Sequence, residues 1–316
     1  MQKKIFITGA NGMIGSALVR KLVDKYQLIL LSPDVNRIEK FSDKVTIIQK
    51  KLSDLEEWKK HLEGVSYLIH LAAAVHWTPN TKEDKEYFKK VNAEETRKVF
   101  LAAKEKKVDK FLFFSTNDVY RPSEQIITEK TEVNPSNIYG ESKLQAEKYL
   151  LNESKESDTE VVIFRAASVY GKNDSGSMKT LVSLCNKGII PMLGKGKNKK
   201  ALLYLEDLVQ AVEKYIENNN DLNREIFNIH SGNYEYKEII NSICEVFDFK
   251  VFKIPIPEWF INNIAAKISF LNKLETAAEN KVTSSKKAEK SLGYKSEFDL
   301  VKGLEDSKDY YKKEIN

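Results

Sequence analysis

The sequence predicts an α/β fold, a doubly wound parallel sheet with a smaller C-terminal part interleaved with it. Three observations carry this expectation. Short runs rich in β-branched and aromatic residues alternate with amphipathic stretches over the first two thirds of the chain. Those runs are apolar almost without interruption, as strands covered on both faces must be. A glycine-rich turn follows the first run and opens a helix. Right-handed crossovers then set a ligand beyond the carboxyl ends of the strands.

The elements follow in order. Strands are expected over residues 4–8, 27–31, 45–49, 67–71, 111–115 and 160–165, with amphipathic helices over 16–25, 89–106 and 138–153. After residue 171 the pattern loosens, with Gly176, Gly188, Pro191, Gly194 and Gly196 marking loops. A further strand over 226–229 reads as rejoining the sheet. The expected division is 1–171 for the dinucleotide-binding part, with 200–230 returning to it, and 172–199 with 231–316 for the substrate. Residues 259–271, broken by Asn262, Asn263 and Lys267, predict an amphipathic helix packed on the protein rather than a membrane span.

Composition narrows the function classes. The 316 residues are 41% hydrophobic and 31% charged, enough for one large α/β unit. The net charge of +5 is spread along the chain, which speaks against a nucleic-acid surface and only weakly for an anionic ligand. Cys185 and Cys244 have neither metal-site spacing nor a disulfide framework, so no metal is expected and the cytoplasm is the expected location. Lys3-Lys4 runs directly into the first strand, with no signal-peptide pattern.

Thr8-Gly9-Ala10-Asn11-Gly12-Met13-Ile14-Gly15 joins the first strand to the first helix. Glycines at 9, 12 and 15 permit a tight turn, close approach to a pyrophosphate and helix-on-strand packing. The helix N-terminus then turns free N–H groups toward the phosphates. This spacing identifies a Rossmann dinucleotide site, with Gly9, Asn11, Gly12, Met13, Ile14 and Gly15 around the cofactor. At the end of the second strand, an acid would bind the ribose of NAD and an arginine the phosphate of NADP. Ser32 stands there with Arg37 following, which favours NADP(H), while Asp34 keeps NAD open.

The fifth strand ends in Ser115-Thr116-Asn117-Asp118, and Tyr139-Gly140-Glu141-Ser142-Lys143 opens a later helix. A four-residue step puts Tyr139 and Lys143 on one face. Of fourteen tyrosines, only Tyr139 has a lysine at that step. A phenol of pKa ~10 needs nearby positive charge to act as a base near neutrality. Lys143 and a nicotinamide are expected to supply it. Tyr139 then takes a proton from an alcohol, and Thr116 holds the substrate oxygen.

With these motifs placed, the chain resembles the extended short-chain dehydrogenase/reductase family, also called the NAD-dependent epimerase/dehydratase family. His70-Leu71-Ala72-Ala73, Asn92 with Thr96, Val119-Tyr120, Arg165…Val169-Tyr170-Gly171, Leu205-Glu206-Asp207 and Leu292-Gly293-Tyr294 follow in the family's order. The resemblance implies Thr116, Tyr139 and Lys143 as catalytic residues. It implies Leu52, Leu71, Ala72, Ala73 and Ala166 beside the cofactor, and His76, Asn117, Ser168 and Lys200 beside the substrate. Dimerisation would use the helices near 89–106 and 138–153.

Its departures shape the expected reaction. Sugar dehydratases of the family carry an Asp-Glu pair where this chain has Asn117-Asp118, which argues against dehydration. Ser168 replaces an asparagine that contacts the substrate, Lys200 replaces an arginine that meets the diphosphate, and Lys51 replaces an acid near the adenine. The expected function is an NAD(P)-dependent epimerase or reductase at a keto or hydroxyl carbon of a nucleotide-linked or phosphorylated sugar. A reductase of a small non-nucleotide ketone and a non-catalytic dinucleotide-binding regulator are the alternatives.

Overall fold

The structure is a computed structural model that describes residues 2–75, 81–193, 195–256 and 280–315. His76, Gly194 and the helix expected over 259–271 lie outside the described residues. Seven strands form the main sheet: β1 (Lys4–Thr8), β2 (Gln27–Leu31), β3 (Thr46–Ile48), β4 (Tyr67–His70), β5 (Lys110–Thr116), β7 (Glu160–Ala166) and β11 (Glu225–Ile229). Their order is β11-β7-β5-β4-β1-β2-β3, and every pairing is parallel. The expected doubly wound sheet is therefore present. The chain leaves β1 toward one edge and β4 toward the other, so the crevice between their carboxyl ends is the switch point at which such sheets bind ligands.

Helices cover both faces because the strands are apolar on both. Helices α1 (Met13–Leu22) and α7 (Leu205–Glu217) lie on one face, with α9 (Lys286–Leu292) beside them. Helices α4 (Thr96–Glu105) and α5 (Ile138–Glu153) lie on the other, over Phe6, Leu68, Phe111 and Ile163. The helix expected over 89–106 is longer and interrupted. It begins as α3 (Lys82–Lys89) behind a Thr81 capping box, passes through a π-helical turn at Lys90–Glu95, and continues as α4. A π turn swells the helix by one residue and is a frequent mark of functional sites.

A second sheet escaped the sequence reading. Strands β12 (Gly232–Glu235), β10 (Lys199–Tyr204), β14 (Lys281–Thr283) and β6 (Ser123–Ile127) lie in that order, and β8 (Ser168–Tyr170) pairs with β10. These strands are three to six residues long and pair across distant segments, so none announces itself by local periodicity. Helices α6 (Ser177–Asn186), α8 (Tyr236–Phe247), α10 (Leu300–Asp306) and α11 (Lys308–Ile315) pack around a third apolar cluster with β9 (Ile189–Leu193) and β13 (Phe252–Ile256) at its margin. Among the described residues, no helix is long and apolar enough to cross a membrane.

Phe164 is fully buried on β7, beside the edge strand β11, and meets the rings of Phe114, Tyr215 and Phe227 at 5.8, 6.1 and 6.2 Å. Phe164→Ala is expected to lower the free energy of urea unfolding by about 3–5 kcal/mol. A loss below about 1 kcal/mol would mean that the aromatic cluster does not bind the β7 layer to α7.

Candidate active site

The glycine turn is built by backbone contact. Gly9 has φ +68°, and a Cβ there would stand 2.8 Å from the Ala72 nitrogen; at Gly15 it would stand 2.4 Å from the Gly9 carbonyl. Gly12 caps α1 without a side chain, and the first helical bond runs from Ser16 N–H to the Gly12 carbonyl at 2.9 Å. The N–H groups of Met13, Ile14 and Gly15 therefore have no acceptor within the helix, and its first turn holds no acid. These features fit a dinucleotide: a close backbone floor, and a positive helix end free of side chains for the pyrophosphate.

The loop after β2 is tied to this turn. Asn11 Oδ1 accepts from Arg37 N–H at 2.7 Å, and Arg37 Nη1 donates to the Asn11 carbonyl at 3.1 Å. Ser32 is buried, and Asp34 accepts from Asn36 N–H at 3.2 Å. Leu52 is half-buried and packs against the second apolar layer, its carbonyl accepting from the Trp58 indole at 3.1 Å.

At the end of β4, a buried imidazole joins three elements. Thr8 Oγ1 lies 2.7 Å from His70 Nδ1, and His70 Nε2 lies 2.9 Å from Thr96 Oγ1. Thr96 gives its own proton to the Asn92 carbonyl at 2.9 Å, so it accepts from His70 Nε2–H. Nδ1 is then the acceptor from Thr8, and the ring is neutral. Burial, reinforced by the charge of Lys143, pushes the His70 pKa down to about 3. Thr8 Oγ1 also accepts from the N–H groups of Leu71 and Ala72, at 3.2 and 3.3 Å. Leu71, Ala72 and Ala73 form a half-buried ledge beside Gly9.

The π turn aims Asn92 at α5. Asn92 Nδ2 donates to the Ala74 carbonyl and to Ser142 Oγ, each at 3.0 Å, and Oδ1 accepts from Ala74 N–H at 2.7 Å. Ser142 Oγ donates to the Tyr139 carbonyl at 2.8 Å. Asn137 caps α5 by accepting from Gly140 N–H at 2.7 Å. Gly140 is needed because a Cβ there would stand 2.2 Å from the Asp118 carbonyl. The start of α5 thus abuts the 3-10 turn Asn117–Val119 after Thr116. Thr116 Oγ1 accepts from Asp118 N–H at 3.1 Å, which leaves its own hydrogen to give. Thr116 pairs in register with Ala166 on β7. Thr116, Tyr139, Lys143 and Ala166 so come together around the carboxyl ends of β5 and β7.

Electrostatics here differ from the sequence expectation. Lys143 is buried, its ammonium 4.1 Å over the Phe113 ring, and burial pushes its pKa down to about 7 while Glu147 opposes that shift. Tyr139 is pushed above its ordinary value by burial and then by the Asp118 carboxylate. The groups acting on Tyr139 therefore favour the phenol, and the Lys143 ammonium is itself weakened by desolvation. Asp118 is held in turn by the buried Lys281 of β14, with Nζ 2.7 Å from Oδ1.

The residues expected at the substrate are spread more widely. Asn117 is buried in the 3-10 turn. Ser168 is exposed on β8, its hydroxyl 3.2 Å from that of Ser177. Lys200 is half-buried on β10, in register with Lys281. The sequence reading missed the positions of His70, Ser142, Glu147 and Lys281 in this network. A four-residue step from Lys143 marks Glu147, whereas Lys281 carries no local signal.

A family model described as "NAD dependent epimerase/dehydratase family" matches residues 5–229. The chain belongs to the NAD dependent epimerase/dehydratase family. Membership makes it an enzyme with a nicotinamide dinucleotide cofactor. It is 26% identical to UDP-glucose 4-epimerase of Vibrio cholerae, over 96% of this chain and 94% of that one. It is 27% identical to dTDP-4-dehydro-6-deoxyglucose reductase of Escherichia coli, over 95% of each chain. Among solved structures, the UDP-glucuronic acid 4-epimerase from Bacillus cereus in complex with NAD superposes with a TM-score of 0.84 at 22% identity, over 99% of this chain and 100% of that one. At that identity the likeness establishes the shared fold.

Two outcomes test this geometry. Gly15→Ala drives a methyl toward the Gly9 carbonyl and should weaken NAD binding by at least about 100-fold, about 2.7 kcal/mol, by calorimetry; a change under about tenfold would contradict the close backbone floor. Folded His70 binds a proton more weakly than unfolded His70, so acid favours unfolding. Lowering pH from about 6.5 to 5 should remove about 1.5 kcal/mol of stability through this residue. Urea unfolding of His70→Gln should lack that increment, and parallel pH dependence would refute the neutral imidazole.

Proposed function

We propose that the protein is an NAD-dependent 4-epimerase of a nucleotide-linked sugar, with Tyr139 as acid/base. The observation that supports this reading is the close approach of the start of α5, which carries Tyr139 and Lys143, to the turn after Thr116, where the positions of a dehydratase acid pair hold an asparagine and an ion-paired aspartate. Asn117 has no proton to give as an acid, and the Asp118 carboxylate is paired with Lys281. The relative named UDP-glucose 4-epimerase, from Vibrio cholerae, supports the same reading, the match covering 94% or more of both chains.

A nicotinamide dinucleotide bound at the switch point would supply the hydride acceptor and donor for the sugar carbon. Gly9, Gly12 and Gly15 with the start of α1 would hold the pyrophosphate. Leu52, Leu71, Ala72, Ala73 and Ala166 would line the rings, and Lys143 would meet the nicotinamide ribose. Tyr139 takes the proton of the sugar hydroxyl and gives it back. Thr116, its oxygen already accepting from Asp118 N–H, donates its hydrogen to the same sugar oxygen. Asn117, Ser168, Lys200 and His76 are assigned to the sugar nucleotide. Residues 1–171 with 200–230 would serve the cofactor, and 172–199 with 231–316 the substrate.

We take NAD rather than NADP(H) as the cofactor. Arg37, on which the phosphate reading rests, spends one guanidinium N–H on the Asn11 carbonyl, and several structural neighbours were crystallised with NAD. The Escherichia coli relative named as a reductase supports a second reading, reduction of a keto sugar with a cofactor exchanged each cycle. A homodimer through α4 and α5 is supported by Tyr87 and Leu101, which are 50% and 37% exposed on α3 and α4. The two free cysteines suit the cytoplasm.

Denaturing the purified protein should release NAD; an empty protein preferring NADPH would favour the reductase. Tyr139→Phe should lower the interconversion of UDP-glucose and UDP-galactose by about 10²–10⁴-fold while still binding NAD. Arg37→Ala should change NAD and NADP binding alike, and a loss confined to NADP would restore the phosphate role.

A further inference from the structure

The site rests on a second charged pair that the reaction does not touch. Glu147 is 1% exposed and Arg165 4% exposed. Arg165 Nε donates to Glu147 Oε1 at 3.0 Å and Oε2 at 3.2 Å, and Nη2 donates to Oε2 at 2.6 Å. Ser115 Oγ donates to Oε1. Arg165 Nη1 donates to the Tyr120 hydroxyl at 2.7 Å, which donates to Asn228 Oδ1 at 2.9 Å. We propose that Glu147 and Arg165 are a positioning pair, placing one fixed carboxylate opposite the buried ammonium of Lys143. The proposal deepens the epimerase reading and rests on it.

The placement is regular. Glu147 lies one helical turn beyond Lys143 on α5, so both point to the same side. Ser115 and Arg165 are register partners on β5 and β7, each one residue before the partners Thr116 and Ala166 that line the site. The pair therefore sits one residue beneath the floor of the crevice and is held by donors from two strands. A buried pair is weak evidence for stability, because apolar residues of similar volume often replace one without loss. Its location beneath Lys143 gives it a different use.

Among the described residues, the groups around Lys143 come from α5, β4, β5 and β7. His70 on β4 is neutral, Phe113 on β5 offers its ring, and Tyr139 on α5 is a phenol. Asp118, after β5, is bound to Lys281, and Arg165 on β7 is bound to Glu147. Burial lowers the proton affinity of Lys143, and Glu147 is the carboxylate that raises it. A lysine held near neutrality changes charge with a small change in its field. Glu147 fixes that field.

The test follows UDP-glucose epimerisation and calorimetric NAD binding from about pH 6 to 9.5. Both need Lys143 protonated and fall as pH rises through its pKa. Glu147→Gln should move this alkaline limb toward acid by a pH unit or more in both profiles. Arg165→Met, which removes the guanidinium from the carboxylate, should not move it toward acid. If Glu147→Gln fails to fold, the double variant Glu147→Gln/Arg165→Met removes both charges and carries the same acidward expectation. An unmoved limb in these folded variants, with only kcat or stability reduced, would make the pair structural and overturn the proposal. A Tyr139→Phe protein that keeps its rate would sink the epimerase reading instead, so the two failures are separable.

Discussion

A neutral imidazole joins the two strands that flank the switch point to the helix beneath them. Thr8, His70 and Thr96 form one directed chain of hydrogen bonds, and the Leu71 and Ala72 amides join it through Thr8. The ledge at the end of β4 then stands against Gly9, close enough to forbid a side chain there. Protonating the ring would give Thr8 a third donor to face in place of an acceptor. The depressed pKa of His70 is thus the same fact as the geometry of the crevice, expressed as proton affinity.

Charge around α5 is arranged above and below. Above, Lys281 binds Asp118 beside Tyr139; below, Arg165 binds Glu147 beside Lys143. Each pair leaves a carboxylate near one member of the Tyr139–Lys143 couple, and the effects oppose. Asp118 makes the phenol harder to ionise, while Glu147 keeps the ammonium. In a low-dielectric interior such fields are strong, so small displacements of either pair change which proton is held. The protein alone keeps Tyr139 as a phenol, which places the balance of the site on positive charge arriving with the cofactor.

The second sheet brings the far end of the chain to this balance. β14 lies between β10 and β6, so Lys281 reaches Asp118, and its register partner Lys200 lies beside it on β10. Two lysines of the second sheet thus stand close to the turn after Thr116. Of these, Lys281 engages the Asp118 carboxylate.

What the sequence determined by itself is what local geometry encodes. The glycine spacing at 9, 12 and 15, the apolar strands and the four-residue step from Tyr139 to Lys143 are all set within one turn or one crossover. The main sheet and the gathering of Thr116, Tyr139 and Lys143 were therefore legible. The swelling of the helix at Asn92 was not, because a π turn is chosen by what the side chain must reach, here Ala74 and Ser142. Tertiary structure alone decided that Lys281, 163 residues away, neutralises Asp118, and that burial weakens Lys143. Periodicity records which face of an element is apolar. It does not record which distant charge that face will meet, or how much water will be left around it.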